Sequence, residues 1–233
     1  MTIGIIGAMD VEIAALRDQM EIRETITAAR MTFFCGRLGQ TEAVLVKSGV
    51  GKVNAGICVQ LLIDRFHATH IINTGVAGSL NNSIDIGDIV VSTEAMFHDV
   101  DATVFGYVRG EIPQLGIVSF PADPFLRSEA LRAVRTAAPE VKAFEGMVIS
   151  GDQFISTHEK KEDLMNSFCA CCAEMEGAAI AQASWLNQVP YVILRAISDK
   201  ADESVEESYA EFEGKAARHC ADIVSYMVQN LNA

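Results

Sequence analysis

Short apolar runs alternate with amphipathic stretches along this chain. Residues 3–6 are apolar and end at Gly7, which predicts a buried strand. Asp10 then stands where a helix cap belongs, and Ile13, Leu16 and Met20 predict one apolar helical face. Residues 32–37 and 42–47 predict two strands around Gly39-Gln40. Residues 51–66 predict a helix with Val53, Ile57 and Leu61 in register. Residues 70–73 predict a strand running into a glycine turn, Thr74-Gly75-Val76-Ala77-Gly78. Residues 88–92, 146–150 and 191–196 predict further strands. Residues 123–137, 158–168, 175–187 and about 205–230 predict helices. The stretch 96–121 has no period, although it carries His98, Asp99, Phe105, Tyr107 and Pro113, an unusual mix for a linker.

Strands alternating with helices predict an α/β fold with helices layered on a parallel or mixed sheet. No repeat, low-complexity tract or linker interrupts residues 1–233, so a single domain is expected. Ligands of such folds sit beyond the carboxyl ends of strands. That rule selects Glu12 after the first strand and Val76, Ala77 and Gly78 after the strand at 70–73. It also selects Asp152, Phe154 and Ile155 after 146–150, and Ser198 and Asp199 after 191–196. Glu12 and Asp199 are then expected on one edge. Glu174 and Glu176 flank Met175 at the start of a small-residue helix, where a carboxylate gains from the helix dipole. Each of these carboxylates also has a plain reading as a helix-start or turn residue, and Met9 and Met175 as core fillers.

The 233 residues are half apolar, which excludes a disordered chain. With 18 Lys and Arg against 31 Asp and Glu, the net charge is −13, unfavourable for binding nucleic acid. The start, MTIGIIGAMDVEI, lacks the basic region and cleavage site of a secretion signal. The 18 uncharged residues between Glu176 and Arg195 include Gln182, Asn187, Gln188 and Pro190, so they read as soluble core rather than a membrane span. A cytosolic protein is expected. Its six cysteines include Cys169-x-x-Cys172, but no second pair completes a zinc site, and reduced thiols are expected. Gly4-Ile5-Ile6-Gly7 is not a dinucleotide fingerprint.

Eight ordered segments together resemble the 5′-methylthioadenosine/S-adenosylhomocysteine nucleosidase family. They are GIIGAMDVE at 4–12, KSGVGKVNA at 47–55, INTGVAGS at 72–79, GDIVVS at 87–92, HDVDATVFGY at 98–107, SGDQFI at 150–155, AEMEGAAIA at 173–181 and RAISDKAD at 195–202. The resemblance implies a nucleoside phosphorylase-like fold, a three-layer α/β/α sandwich around a central mixed sheet, usually as a homodimer. It implies hydrolysis of the N-glycosidic bond of methylthioadenosine and adenosylhomocysteine, with 5′-deoxyadenosine as a further substrate. It implies no cofactor and no metal. By resemblance, Glu12 is the general base on water and Asp199 protonates adenine N7, oriented by Ser198. Glu176 and Met175 hold the ribose hydroxyls, and Arg195 orders the carboxylates. Phe154 stacks on the purine and the Ile155 backbone reads its edge. Met9, Val50, Val76, Ala77 and Gly78 complete the substrate pocket. Phe105, Tyr107 and Pro113 resemble the apolar lip that a partner subunit supplies, and Tyr209 falls where the family often has phenylalanine. Val76 departs from the family's common serine.

The chemistry fits these residue types: a purine leaving group needs an acid, and water needs a base on the other face of the sugar. A phosphorylase of the same fold would need a cationic cradle, yet no arginine lies between Arg65 and Arg109. A hydrolase for another adenine nucleoside, such as aminodeoxyfutalosine, and a non-catalytic nucleoside-binding protein are the other readings. Retention of Glu12, Glu176 and Asp199 together argues against the binder.

Overall fold

Side-chain alternation along two central strands shows how the sheet is covered. In β10 (Tyr191–Asp199), Val192, Leu194 and Ala196 enter one apolar cluster, and Tyr191, Ile193 and Ile197 enter another. In β5 (His70–Ser79), Ile72 and Val76 face the first cluster, and Ile71 and Ala77 the second. The chain therefore buries both faces of its sheet. This computed structural model describes residues 1–201 and 205–231, the side chains of 205–211 excepted.

The first face is covered by α1 (Asp10–Gln19), α3 (Pro124–Ala137) and α6 (Val205–Asn230), and the second by α2 (Lys52–Phe66) and α5 (Gly177–Leu186). A third, smaller cluster lies under α4 (His158–Ser167). This is the three-layer α/β/α arrangement expected. The sheet is mixed. β1 (Thr2–Gly7), β4 (Thr41–Lys47), β5 and β10 run one way. β6 (Ile89–Phe97), β8 (Ala143–Ser150) and β9 (Ala170–Glu174) run the other. β3 (Met31–Leu38) and β2 (Glu21–Ala28) extend the β4 side as an antiparallel ribbon, and the short β7 (Phe120–Pro121) pairs with β6. Because β10 pairs with both β5 and β6, the five strands β5, β10, β6, β8 and β9 close into a ring. Among the described residues no helix is long and apolar enough to cross a membrane.

Four expectations are corrected. The glycine turn at 74–78 is strand: β5 continues to Ser79, its small residues letting β10 side chains approach. The carboxyl ends of β1, β5 and β10 share one edge, as expected for Glu12 and Asp199, but β8, selected by the same rule, runs the other way. β5 and β9 are antiparallel and overlap only at their carboxyl ends, Gly78 against Ala173 and Ser79 against Cys172. Asp10 is the first residue of α1 rather than its cap. It pairs with Lys47 at 2.7 Å, while the Glu12 carboxylate accepts from the amides of Ala8 and Met9, just ahead of the helix. In α2 the core stripe is Ala55, Cys58, Val59 and Leu62, spaced i, i+3, i+4, i+7, so Val53 and Ile57 point out. Both β2 and β9 were absent from the sequence pattern. The first is largely exposed on both faces and the second is five residues long.

Candidate active site

Arg195 occupies the one position of the Ile193–Ile197 face of β10 that is not apolar, and it is 1% exposed. A buried guanidinium must be paired. Its Nη2 donates to Asn73 Oδ1 at 2.7 Å and to the Glu174 carboxylate, and lies 3.7 Å from Glu176 Oε2. Its Nη1 lies 3.9 Å from Glu12 Oε1. One cation thus faces three buried carboxylates. In the neighbouring strand, Arg195 is in register with Gly75. A Cβ there would fall 2.2 Å from Arg195 Nη1 and 2.3 Å from Glu12 Oε1, so only glycine leaves room for the pair.

Each carboxylate is also held by backbone amides. Glu12 Oε2 accepts from Ala8 N at 2.6 Å and Met9 N at 3.0 Å, and its Oε1 accepts from Val76 N at 3.0 Å. Burial nevertheless pushes the Glu12 carboxyl above its usual range, outweighing Arg195 and these three amides. Glu174 accepts from the amides of Glu176 and Gly177 at the start of α5, and from Ser150 Oγ. Ser150 Oγ in turn accepts from Ala178 N at 2.7 Å. Glu176 Oε1 accepts from Gly51 N at 2.8 Å. Burial, then the Glu174 charge, push the Glu176 carboxyl up to about 7, against the pull of Arg195 and Gly51 N. Asp199 is buried at the end of β10. Its Oδ2 accepts from Ser198 Oγ at 2.8 Å, and its Oδ1 accepts from Ala201 N at 2.8 Å.

These groups meet in a cleft with about 660 Å³ of empty space, counted out to its open mouth. Of the residues selected from sequence, Met9, Glu12, Val50, Val76, Ala77 and Gly78 line it, as do Phe154, Ile155, Met175, Glu176, Ser198 and Asp199. Phe154 is more than half exposed at the rim, and Ile155 is buried beneath it. Arg195 lies behind the lining and acts on it through the carboxylates. Phe105, Tyr107 and Pro113 do not line the cleft of this chain; Phe105, the last residue of a 3-10 turn at Thr103–Phe105, is 81% exposed. The side chain of Tyr209 lies outside the described residues. Glu174, singled out only as a helix-start carboxylate, lines the cleft too; Ala8, Gln153, Ala173 and Ala201 also line it, and Asn73 holds Arg195, none of these selected from sequence. Asn73 carried a signal, a polar residue closing the apolar run of β5. In the Cys169-x-x-Cys172 segment Cys169 is exposed and Cys172 buried, and both are free thiols. Among the described residues no cluster of His, Cys, Asp and Glu could hold a metal ion.

A raised carboxyl gives the folded state the higher proton affinity. Between the unfolded value of ~4.3 and the folded value, Glu176 holds a proton that the unfolded chain releases. The stability it contributes is complete below ~4.3 and is lost as pH rises through about 7. Glu176→Gln has no such loss. Urea unfolding should therefore show the variant gaining on the wild type between pH 4.5 and 8, by roughly 3 kcal/mol. A stability difference independent of pH would contradict the assignment.

Residues 2–229 match the family model of the phosphorylase superfamily. The 5′-methylthioadenosine/S-adenosylhomocysteine nucleosidase of Staphylococcus saprophyticus is 43% identical over 230 residues, covering 98% of this chain and all of that one. The enzyme of the same name from Psychromonas ingrahamii is 41% identical over the full length of both chains. The crystal structure of the Neisseria meningitidis nucleosidase in complex with methylthio-immucillin-A is 40% identical. It superposes with a TM-score of 0.94, covering 98% of each chain. With near-complete coverage in both directions, the chain belongs to the 5′-methylthioadenosine/S-adenosylhomocysteine nucleosidase family of the phosphorylase superfamily.

Proposed function

We propose that this chain is an N-glycosyl hydrolase that cleaves 5′-methylthioadenosine and S-adenosylhomocysteine, releasing adenine and the 5-thioribose product. The observation that carries hydrolysis over phosphorolysis is the charge of the cleft. Its ionisable lining groups among the described residues are Glu12, Glu174, Glu176 and Asp199, all acidic. The nearest guanidinium, Arg195, is already occupied by Asn73 and Glu174. A phosphate anion entering this cleft would meet like charge without a cationic cradle.

In the proposed reaction the C1′–N9 bond breaks with an oxocarbenium-like ribose. Asp199 gives a proton to adenine N7, so that the purine leaves neutral. Ser198, donating to Asp199 Oδ2, sets the direction of that carboxyl. Glu12 takes a proton from the water whose oxygen bonds to C1′. Its raised proton affinity suits a base working near neutral pH. Glu176 and Met175 face the ribose hydroxyls; Phe154 covers one purine face, and the Ile155 backbone reads its edge. Met9, Val50, Val76, Ala77 and Gly78 shape the remaining walls.

A homodimer is also proposed. Val53 of α2 is 72% exposed, Ile57 is exposed, and Val104, Phe105 and Val108 stand out from the irregular stretch after β6. Exposed apolar groups of this density mark association surfaces. The lip of Phe105, Tyr107 and Pro113 then serves the partner's cleft. The substrate is a small molecule, with no role for nucleic acid or membrane. A cytosolic setting suits six free cysteines.

Purified protein incubated with methylthioadenosine in phosphate-free buffer should release adenine and free methylthioribose. Formation of the sugar 1-phosphate in proportion to added phosphate would overturn hydrolysis. Asp199→Asn should lower the chemical step by roughly 10²–10⁴-fold, and Glu12→Gln comparably. Near-normal turnover in either variant would move that proton to another group. For the shared cleft, subunits carrying Glu12→Gln are exchanged with subunits carrying Phe105→Ala and Tyr107→Ala. One site of the mixed dimer then has both an intact Glu12 and an intact lip, so activity should reappear. No recovery in mixed dimers verified by mass would mean that each cleft is built from one chain.

A further inference from the structure

Outside the carboxylate floor, one charged cluster joins three segments at the rim of the cleft. Asp99 opens the irregular stretch after β6. Its Oδ2 accepts from Lys52 Nζ at 2.6 Å and from the Asp152 amide at 3.0 Å. The Asp152 carboxylate completes a circuit, its Oδ1 accepting from Lys52 N at 2.9 Å. Lys52 is the first residue of α2, and its ammonium stands over the Phe97 ring, 5.4 Å from the centroid. Next to it, Gly51 donates the amide that holds Glu176. Two residues beyond Asp152 is Phe154, and then Ile155. Gly51 has a φ of +98°, and a Cβ there would fall 3.0 Å from Asp152 Oδ1. His98 braces the same point from behind: a Cβ on Gly151 would fall 2.4 Å from its Cε1.

We infer that Asp99 is a positioning residue that fixes the distance between the two walls of the cleft. Through Lys52 it holds the Gly51 wall, which meets Glu176. Through the Asp152 amide it holds the 151–155 wall, which carries Phe154 and Ile155. Both bonds end on one carboxylate oxygen, so neither wall shifts without straining the other. Charge-assisted bonds of this kind are the strong ones. Burial pushes the Asp99 carboxyl up, but Lys52 and the Asp152 amide together outweigh it and hold the group below its usual range, as an anion. The same residue begins the segment carrying Phe105, so the proposed lip and the purine grip share one anchor. The reacting groups do not depend on it: Glu12 is set by Ala8, Met9 and Val76, and Asp199 by Ser198 and Ala201.

The inference rests on the nucleoside reading of the cleft, and its signature is a split between KM and kcat. Removing a group that only aligns the binding walls weakens substrate and transition state alike, which raises KM and spares kcat. Asp99→Asn and Lys52→Met should each raise the KM for methylthioadenosine about tenfold or more, with kcat changed less than about threefold. The double variant should be no worse than the poorer single one, because both break the same link. An unchanged KM in either folded variant overturns the inference, as does a loss confined to kcat, or single effects that multiply in the double. If Asp99→Asn does not fold, Lys52→Met decides; if neither folds, the cluster is a folding element and the inference fails. A wild-type chain that releases no adenine overturns the nucleoside reading and this inference with it, a result distinct from a wild-type chain that is active beside variants with normal KM.

Discussion

A single buried cation organises this molecule. Arg195 sits between Ile193 and Ile197 on a buried face of β10, and a charge so placed is tolerated only with partners around it. Its partners are Asn73 and three carboxylates drawn from α1, the end of β9 and the start of α5. One positive charge cannot balance three negative ones in a region of low polarity. The imbalance falls on the groups with least support. Glu174 is loaded with amides and a hydroxyl. Glu176, with Gly51 N and a distant share of Arg195, takes up a proton near neutrality. Glu12 has three amides and still has a raised proton affinity, because burial is the larger effect. The same arrangement that stabilises the floor thus sets the acid–base properties of the cleft.

The sheet topology makes such a gathering possible. Two sets of parallel strands run in opposite directions, and the overlap of β5 and β9 at their carboxyl ends brings Gly78 beside Ala173. Side chains from both sets then converge at one place instead of along an edge. Small residues do the rest. Gly75 admits Arg195 and Glu12, and a Cβ on Gly78 would stand 2.7 Å from Asp199 Oδ1. The floor is therefore built on strands and a helix start, where side-chain directions are well fixed. The rim is built on irregular segments, and these are braced by the Asp99 cluster.

Much of this was legible before the structure. The layered fold follows from the alternation of apolar runs and amphipathic stretches. Glu12, Ser198 and Asp199 were found from their positions after strands, and all three line the cleft. What was misread has physical causes. β2 is largely exposed, so it lacks the alternation that betrays a strand, and β9 is too short to show one. The run at 74–78 was read as a turn because glycine signals turns; here glycine signals the close approach of Arg195 and Glu12. Val53 and Ile57 share a helical period with the core but point away from it, since α2 has two apolar faces. Glu174 could be placed at a helix start but not under Arg195, because the strand pairing that joins them is remote in sequence. Asp99 lies in a stretch without a period, and its link to Lys52 spans 47 residues, which no local pattern records.

The central claim is that one guanidinium among three carboxylates leaves Glu176 titrating near 7, far above an ordinary glutamate. Carbon-13 NMR of protein labelled at the glutamate side-chain carboxyl carbons tests it directly, comparing the wild type with Glu176→Gln across a pH titration. The account predicts a resonance with a midpoint near 7 that is absent from the variant. A wild-type spectrum in which every glutamate titrates near ~4.3 would contradict it.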